Sequence, residues 1–235
     1  MNYGPKTVTN GLVLAVDFAD KNCYTGTGAV MNDITGNSSG GYLSSVTFDS
    51  NNNGSIFFDG VSGQGSFNYS PSFAMSTNDF TVSTWVKIGT QVSAGFTKTM
   101  VSNYENQKGY LVGWSTLSGG KFYIETGASN GSSYSQNYSS NSWSSLINKW
   151  VNFVTIRQTG ATNNGHFYIN GVYESFSSAI VVYDITSTSY LSLGMTISGF
   201  AKFTGNIASV QIYNRALSAT EVLQNYNATK TRFGL

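Results

Sequence analysis

The chain has 235 residues, and its 12 Lys and Arg against 11 Asp and Glu leave a formal charge of +1 with only 10% of residues charged. Such a balance excludes the basic surface that phosphate-backbone binding requires, so nucleic acid is not an expected partner. The single cysteine, Cys23, excludes an internal disulfide, and no apolar run approaches a membrane span, so membrane insertion is not expected either. With 14% aromatics and 26 glycines, the surface should be made of Ser, Asn, Thr, Gly and Tyr, which act by hydrogen bonding and ring stacking rather than by charge. The opening MNYGPKTV lacks a basic start followed by an apolar run, and the expectation is a chain made and folded in a cytoplasm.

Residues 1–11 read as an arm, with Pro5 opposing regular structure, and 12–235 as one β-domain. Leu12, Leu14, Val16 and Phe18 alternate with Val13, Ala15 and Asp17, which predicts a first strand. Lys21 to Tyr42 is a long loop dense in Gly, Asn, Thr and Ser. Ser55–Phe58 is a short strand ending on the turn Asp59-Gly60; a polar strand follows near Gly65–Tyr69, then a loop over Pro71–Asn78. The clearest alternation sets Phe80, Val82, Thr84, Val86 and Ile88 against Thr81, Ser83, Trp85 and Lys87. Strands are expected at Thr99–Asn103, Gly109–Ser115 and Lys121–Thr126, followed by an irregular polar stretch from Gly127 to Ser145. Alternation resumes in Trp150–Arg157. Asn170-Gly171 between His166–Ile169 and Val172–Glu174 marks a hairpin, because both central residues accept positive φ.

Weaker strands near Ala179–Asp184 and Tyr190–Met195 lead to a last strand, with Ala208, Val210 and Ile212 on one face and Ser209, Gln211 and Tyr213 on the other. Ser218 stands three residues before Glu221, a capping box that starts a helix at about Ala219 and turns Val222, Leu223 and Tyr226 inward. The fold class that follows is all-β, an antiparallel sandwich with one short C-terminal helix.

Four segments in this order, 55–60 (SIFFDG), 79–87 (DFTVSTWVK), 167–172 (FYINGV) and 205–221, resemble the laminin-G-like, concanavalin A-like lectin/glucanase superfamily. The opening (11–14, Asp17, 24–28 and 33–37) and the ending (226–235) resemble the version found in tailed-phage structural proteins. The resemblance implies a jelly roll of two antiparallel sheets. It also implies a non-catalytic virion protein, a capsid decoration or tail/fibre module made in the host cytoplasm. Such a protein would be attached to other virion proteins as a homo-oligomer and would hold host-surface glycans. A carbohydrate-binding module without a virion role is the alternative reading, and a glycoside hydrolase with an unrecognised site the third.

Members of this superfamily often hold calcium, and many carry Asp where this chain has Ala208; Ser62–Gly65 stands where a second Asp would lie. Asp33, Asp59 and Asn206 remain as oxygen donors, short of the carboxylate-rich set calcium takes, so neither metal nor cofactor is expected. Glycoside hydrolysis needs two spaced carboxylates. The four glutamates, Glu105, Glu125, Glu174 and Glu221, lie apart in sequence, and Glu125 has no visible partner. His166 reads as a surface or packed histidine and Cys23 as a loop or packing residue, and no catalytic residue is assigned. For carbohydrate, the candidates are Tyr104, Trp114, Tyr134, Tyr138 and Trp143, which can stack on sugar rings or donate hydrogen bonds.

Overall fold

A computed structural model describes residues 6–92, 95, 97–161 and 164–235. In chain order the strands begin with β1 (Leu12–Asp17), β2 (Val30–Met31), β3 (Gly41–Ser44), β4 (Thr47–Asp49), β5 (Ser55–Asp59) and β6 (Gln64–Phe67). They continue with β7 (Phe80–Ile88), β8 (Thr97–Ser102), β9 (Gly109–Ser115), β10 (Lys121–Gly127) and β11 (Tyr134–Tyr138). The last are β12 (Trp150–Arg157), β13 (Gly165–Ile169), β14 (Val172–Glu174), β15 (Leu191–Leu193) and β16 (Thr204–Tyr213), before the helix α1 (Ala219–Thr229).

The strands form two antiparallel sheets. The first runs β14-β13-β12-β7-β16-β5-β4, with β1 also paired to β16; the second runs β11-β10-β9-β8-β15-β6-β3-β2. Alternation decides which side chains meet between them. Val82, Val86, Phe153 and Ile212 of the first sheet share one buried cluster with Val112, Phe122, Ile124 and Leu193 of the second. The expected all-β sandwich with a short C-terminal helix is what the chain forms. The Asn170-Gly171 hairpin closes as anticipated, at φ 52 and 76, with Ile169 opposite Val172.

One face assignment changes. β16 carries a bulge: Ile207 pairs with Val86 and Ser209 with Trp85, so an extra residue sits between them. Ile207 therefore points into the core, and Ala208 is turned to the outer face against Trp85 and Phe233. A bulge reverses the faces on its two sides, and strict alternation cannot see it.

The outer face of the first sheet is covered by α1 and by residues 6–11. The capping box forms as expected, and Val222 is buried. Leu223 is not; it is 46% exposed, because Asn225 takes the inward position and Tyr226 turns to stack on Trp85. Val8 donates its N–H to Asn225 Oδ1 at 2.8 Å, and the Tyr213 hydroxyl donates to the Val8 carbonyl at 3.0 Å. These bonds lay the end of the arm along the helix; residues 1–5 of it lie outside the described residues.

Arg215 grips the Glu221 carboxylate at 2.6 Å beside the cap. The Arg215 hydrogen bond, with help from Ser218 and against some burial cost, pulls the Glu221 carboxyl down to about 2. A depressed carboxyl stabilises the fold above its unfolded value and loses that contribution as pH falls through the folded one. Glu221→Gln is thus expected to cost about 1 kcal/mol near neutral pH, and the difference should vanish on acidification towards pH 2. Urea melts across that pH range check it; a pH-independent difference contradicts it.

Candidate functional site

Among the described residues no α-helix packs on the outer face of the second sheet. Along β10, Phe122 and Ile124 enter the core while Tyr123 and Glu125 take the outer side. The edge strand β11 is set against it in register: Tyr138 opposite Tyr123, Gln136 opposite Glu125, and Tyr134 opposite Gly127. The period of two thus lines up Tyr134, Gln136 and Tyr138 along one edge. Gln136 Nε2 donates to Glu125 Oε2 at 2.7 Å, and the Tyr138 hydroxyl donates to Gln136 Oε1 at 3.0 Å. Tyr104, in the loop after β8, comes close to Glu125. The Tyr138 ring lies over Tyr123, with centroids 5.7 Å apart, and Tyr134 is 51% exposed. Burial first, and then the Glu125 charge, push the Tyr104 and Tyr138 hydroxyls up, so both remain proton donors at neutral pH.

At the end of β10 the loops add polar groups. Glu105 and Lys108 exchange backbone hydrogen bonds of 2.9 Å across Asn106 and Gln107, which both adopt positive φ. This tight turn closes down over Gly127, where a Cβ would overlap the Gln107 carbonyl oxygen and stand 2.8 Å from the Tyr104 ring. Glu105, Asn106, Lys108, Ser129, Thr186 and Ser189 line a cleft of about 390 Å³ beside the turn. Ser189 donates to Glu105 Oε2 at 2.7 Å, and Ser129 N–H donates to the Asp184 carbonyl at 2.6 Å, which ties the three loops together. Tyrosine rings next to a carboxylate, amides, hydroxyls and one ammonium can stack on C–H faces and bond vicinal hydroxyls.

Of the five aromatics expected to meet sugar, Tyr104, Tyr134 and Tyr138 converge here. Trp114 does not. It lies on the core side of β9, is 1% exposed, and meets Phe122 edge-on at 5.1 Å, so no ring face is open to a ligand. Trp143 sits at the far end of β10, half-buried against the core, with its backbone N–H donated to Gly120. Tyr134, Tyr138 and Trp143 stand near one another in the sequence. A strand followed by a turn separates the last of them.

Glu125, which had no visible partner in the sequence, has one in space, Gln136. Gln136, Glu105, Asn106 and Lys108 were missed, because polar residues on an edge strand and in a turn carry no periodic signal. His166 stands on β13 with Nε2 3.2 Å from Gln158 Oε1, and burial lowers its pKa. Cys23 is buried, and burial raises its thiol to about 11. The three oxygen donors considered for calcium are spread apart and engaged. Asp59 accepts the N–H groups of Val61, Ser62 and Gly63, and Asp33 those of Ala15, Thr35, Asn37 and Ser38. Asn206 donates to Asp49 and Ser55.

A family model described as concanavalin A-like lectin/glucanases superfamily matches residues 59–223, more than half of the chain. No curated protein sequence matches. Among solved structures, domain 4 of AbnA, an extracellular arabinanase from Geobacillus stearothermophilus, in complex with arabinotriose, aligns at a TM-score of 0.66 and 18% identity, over 92% of this chain and 98% of that one. The binding domain of Paraclostridial Mosquitocidal Protein 1 aligns at 0.69 and 19% identity, over 92% of this chain and 52% of that one. The receptor binding domain of botulinum neurotoxin type G aligns at 0.64 and 18%, over 93% and 51%. The chain therefore spans nearly all of the arabinanase domain and about half the length of the two toxin domains. At these identities the likeness is one of fold.

Proposed function

Because the chain belongs to the concanavalin A-like lectin/glucanase superfamily, we propose that it is a non-catalytic carbohydrate-binding domain whose site is the open face of β10 and β11 with the adjoining loops. The observation that carries this reading is the row Tyr134, Gln136, Tyr138 on the edge strand, with Gln136 bonded to Glu125. Glu125, itself buried, holds the Gln136 amide in place, and the exposed Gln136 and Tyr134 side chains are then set to bond and stack on a sugar. The arabinanase domain aligned over nearly its whole length was solved with arabinotriose, which supports a sugar ligand for this fold.

A glycan array tests the reading. Wild-type protein should bind a subset of neutral oligosaccharides and leave them uncleaved. Tyr134→Ala combined with Gln136→Ala should lower that binding by about tenfold or more, from the loss of a ring contact and a hydrogen bond. Binding to no glycan, or equal binding by the double variant, contradicts it.

The setting we propose is a virion. The opening and closing stretches resemble those of tailed-phage structural proteins, which would place this domain on a capsid or tail, as a homo-oligomer made in the host cytoplasm. Peptide mass spectrometry of purified particles tests that placement, and absence of the chain from them refutes it.

A further inference from the structure

A helix packed on a sheet is expected to meet an apolar face. Here the cover over the first sheet is apolar only at its two ends. Val222 and Leu217 meet Val154, Ile156 and Tyr213 at one end, and Phe233 meets Trp85 and Ala208 at the other. Next to these apolar contacts the strand registers build two mixed rows on the outer face. Asn152, Trp85, Ser209 and Asp17 form one row across β12, β7, β16 and β1; Val154, Ser83, Gln211 and Ala15 form the next.

These rows floor a cavity of about 300 Å³, roofed by Thr7 and Thr9 of the arm and by Asn225 and Thr229 of α1. Asn152 belongs to its wall and is 3% exposed. Its Nδ2 donates to the Thr84 carbonyl at 3.2 Å, and its Oδ1 has no hydrogen-bond partner. A buried acceptor left unpaired costs about 1–3 kcal/mol, so this wall of the cavity is held at some expense.

The rest of the cavity says what kind of donor fits. Its volume is at the lower end of the range for small-molecule sites. The lip is apolar, formed by Leu12, Ala15 and Ile34, while the floor is hydroxyl and amide. At the mouth Asp17 is held by Arg232 at 2.7 Å with Asp20 nearby, a balance that disfavours an anion. A compact molecule with hydroxyls on one side and C–H groups on the other matches this lining.

We propose that this cavity is a second binding site, for a neutral sugar unit of monosaccharide size, on the sheet opposite the tyrosine face. Gln211, Ser83 and Ser209 take the sugar hydroxyls. The site does not depend on the tyrosine face binding glycan. If both are occupied, the chain presents two sugar sites on opposite sides of the sandwich and can bridge two glycans.

Saturation-transfer NMR and calorimetry of the full chain, with methyl glycosides of arabinose, galactose, glucose and N-acetylglucosamine, test the proposal. At least one glycoside should bind the Tyr134→Ala, Gln136→Ala double variant as it binds wild type. The same glycoside should lose about tenfold or more in affinity for Gln211→Met, which keeps the side-chain volume and removes the amide. Ser209→Leu reaches the cavity from the other row and serves if Gln211→Met fails to fold. Two results overturn the site: no glycoside bound by the double variant, or wild-type affinity in a folded cavity variant. Failure of the glycan array with success here, or the reverse, separates this site from the tyrosine face.

Discussion

Arg157→Met is expected to destabilise the protein by about 3–5 kcal/mol, a large share of the stability of a domain of this kind. Arg157 ends β12, is fully buried, and meets carbonyls on every side. Its Nε donates to Asn78 at 3.1 Å, Nη1 to Tyr183 at 3.2 Å, and Nη2 to Ser76 at 2.7 Å and to Met75 at 3.4 Å, with Asn78 bonded by Nη2 as well. The guanidinium also lies 4.9 Å from the centre of the Phe80 ring. Burial lowers its pKa to about 10, partly offset by the charges of Asp79 and Asp184, so it remains charged at neutral pH.

Methionine would fill much of the space and supply no donors, leaving several carbonyls without the donor that satisfied them. Lysine has one point of charge in place of a planar fork and cannot span carbonyls from two loops, so Arg157→Lys should fall between. Urea melts of the three proteins measure this. A loss under about 1 kcal/mol for methionine would contradict the cage. The consequence reaches the binding face, because the segment pinned at Tyr183 runs directly into residues 184–189 of the cleft.

The second large effect is expected at Gly127. Gly127→Ala should cost about 1–3 kcal/mol and remove glycan binding by the tyrosine face. The added methyl overlaps a backbone carbonyl, that of Gln107, which cannot rotate away as a side chain can. The 105–108 turn must lift, and the Tyr104 ring, 2.8 Å from the added methyl, must shift with it. Gly160→Ala is the control. It has φ of +81 with nothing within 4 Å of a Cβ, so it carries backbone strain alone and should leave binding unchanged. A Gly127→Ala protein that binds glycan as wild type would mean the turn is not part of the site.

The strands with strong alternation were legible in the sequence, β9 and β12 to the residue, because one face of each meets the core and the pattern records it. The elements that escaped lack that record. β2 and the first half of β3 lie in what read as a long loop, and β11 in what read as an irregular stretch. β11 is an edge strand, YSQNY, with polar residues on both sides of its pleat.

Residues 179–184 show the reverse. Their apolar content predicts a strand, yet the segment pairs with none, and its carbonyls are met by side chains: Ala179 by Asn137, Ile180 by Asn164, Tyr183 by Arg157. The candidate site was half legible for the same reason. Tyrosines stand out in a sequence, whereas the register that sets Gln136 against Glu125, or the turn that brings Glu105 and Lys108 beside them, is fixed only when the sheet forms.

The central claim is that glycan lies on the open face of β10 and β11. Backbone amide shifts of isotope-labelled protein, titrated with the strongest glycan from the array, test it most directly. The account predicts saturable shifts at residues 104–108, at Glu125 and along Tyr134–Tyr138. Saturable glycan binding that leaves Tyr134–Tyr138 unmoved would contradict it.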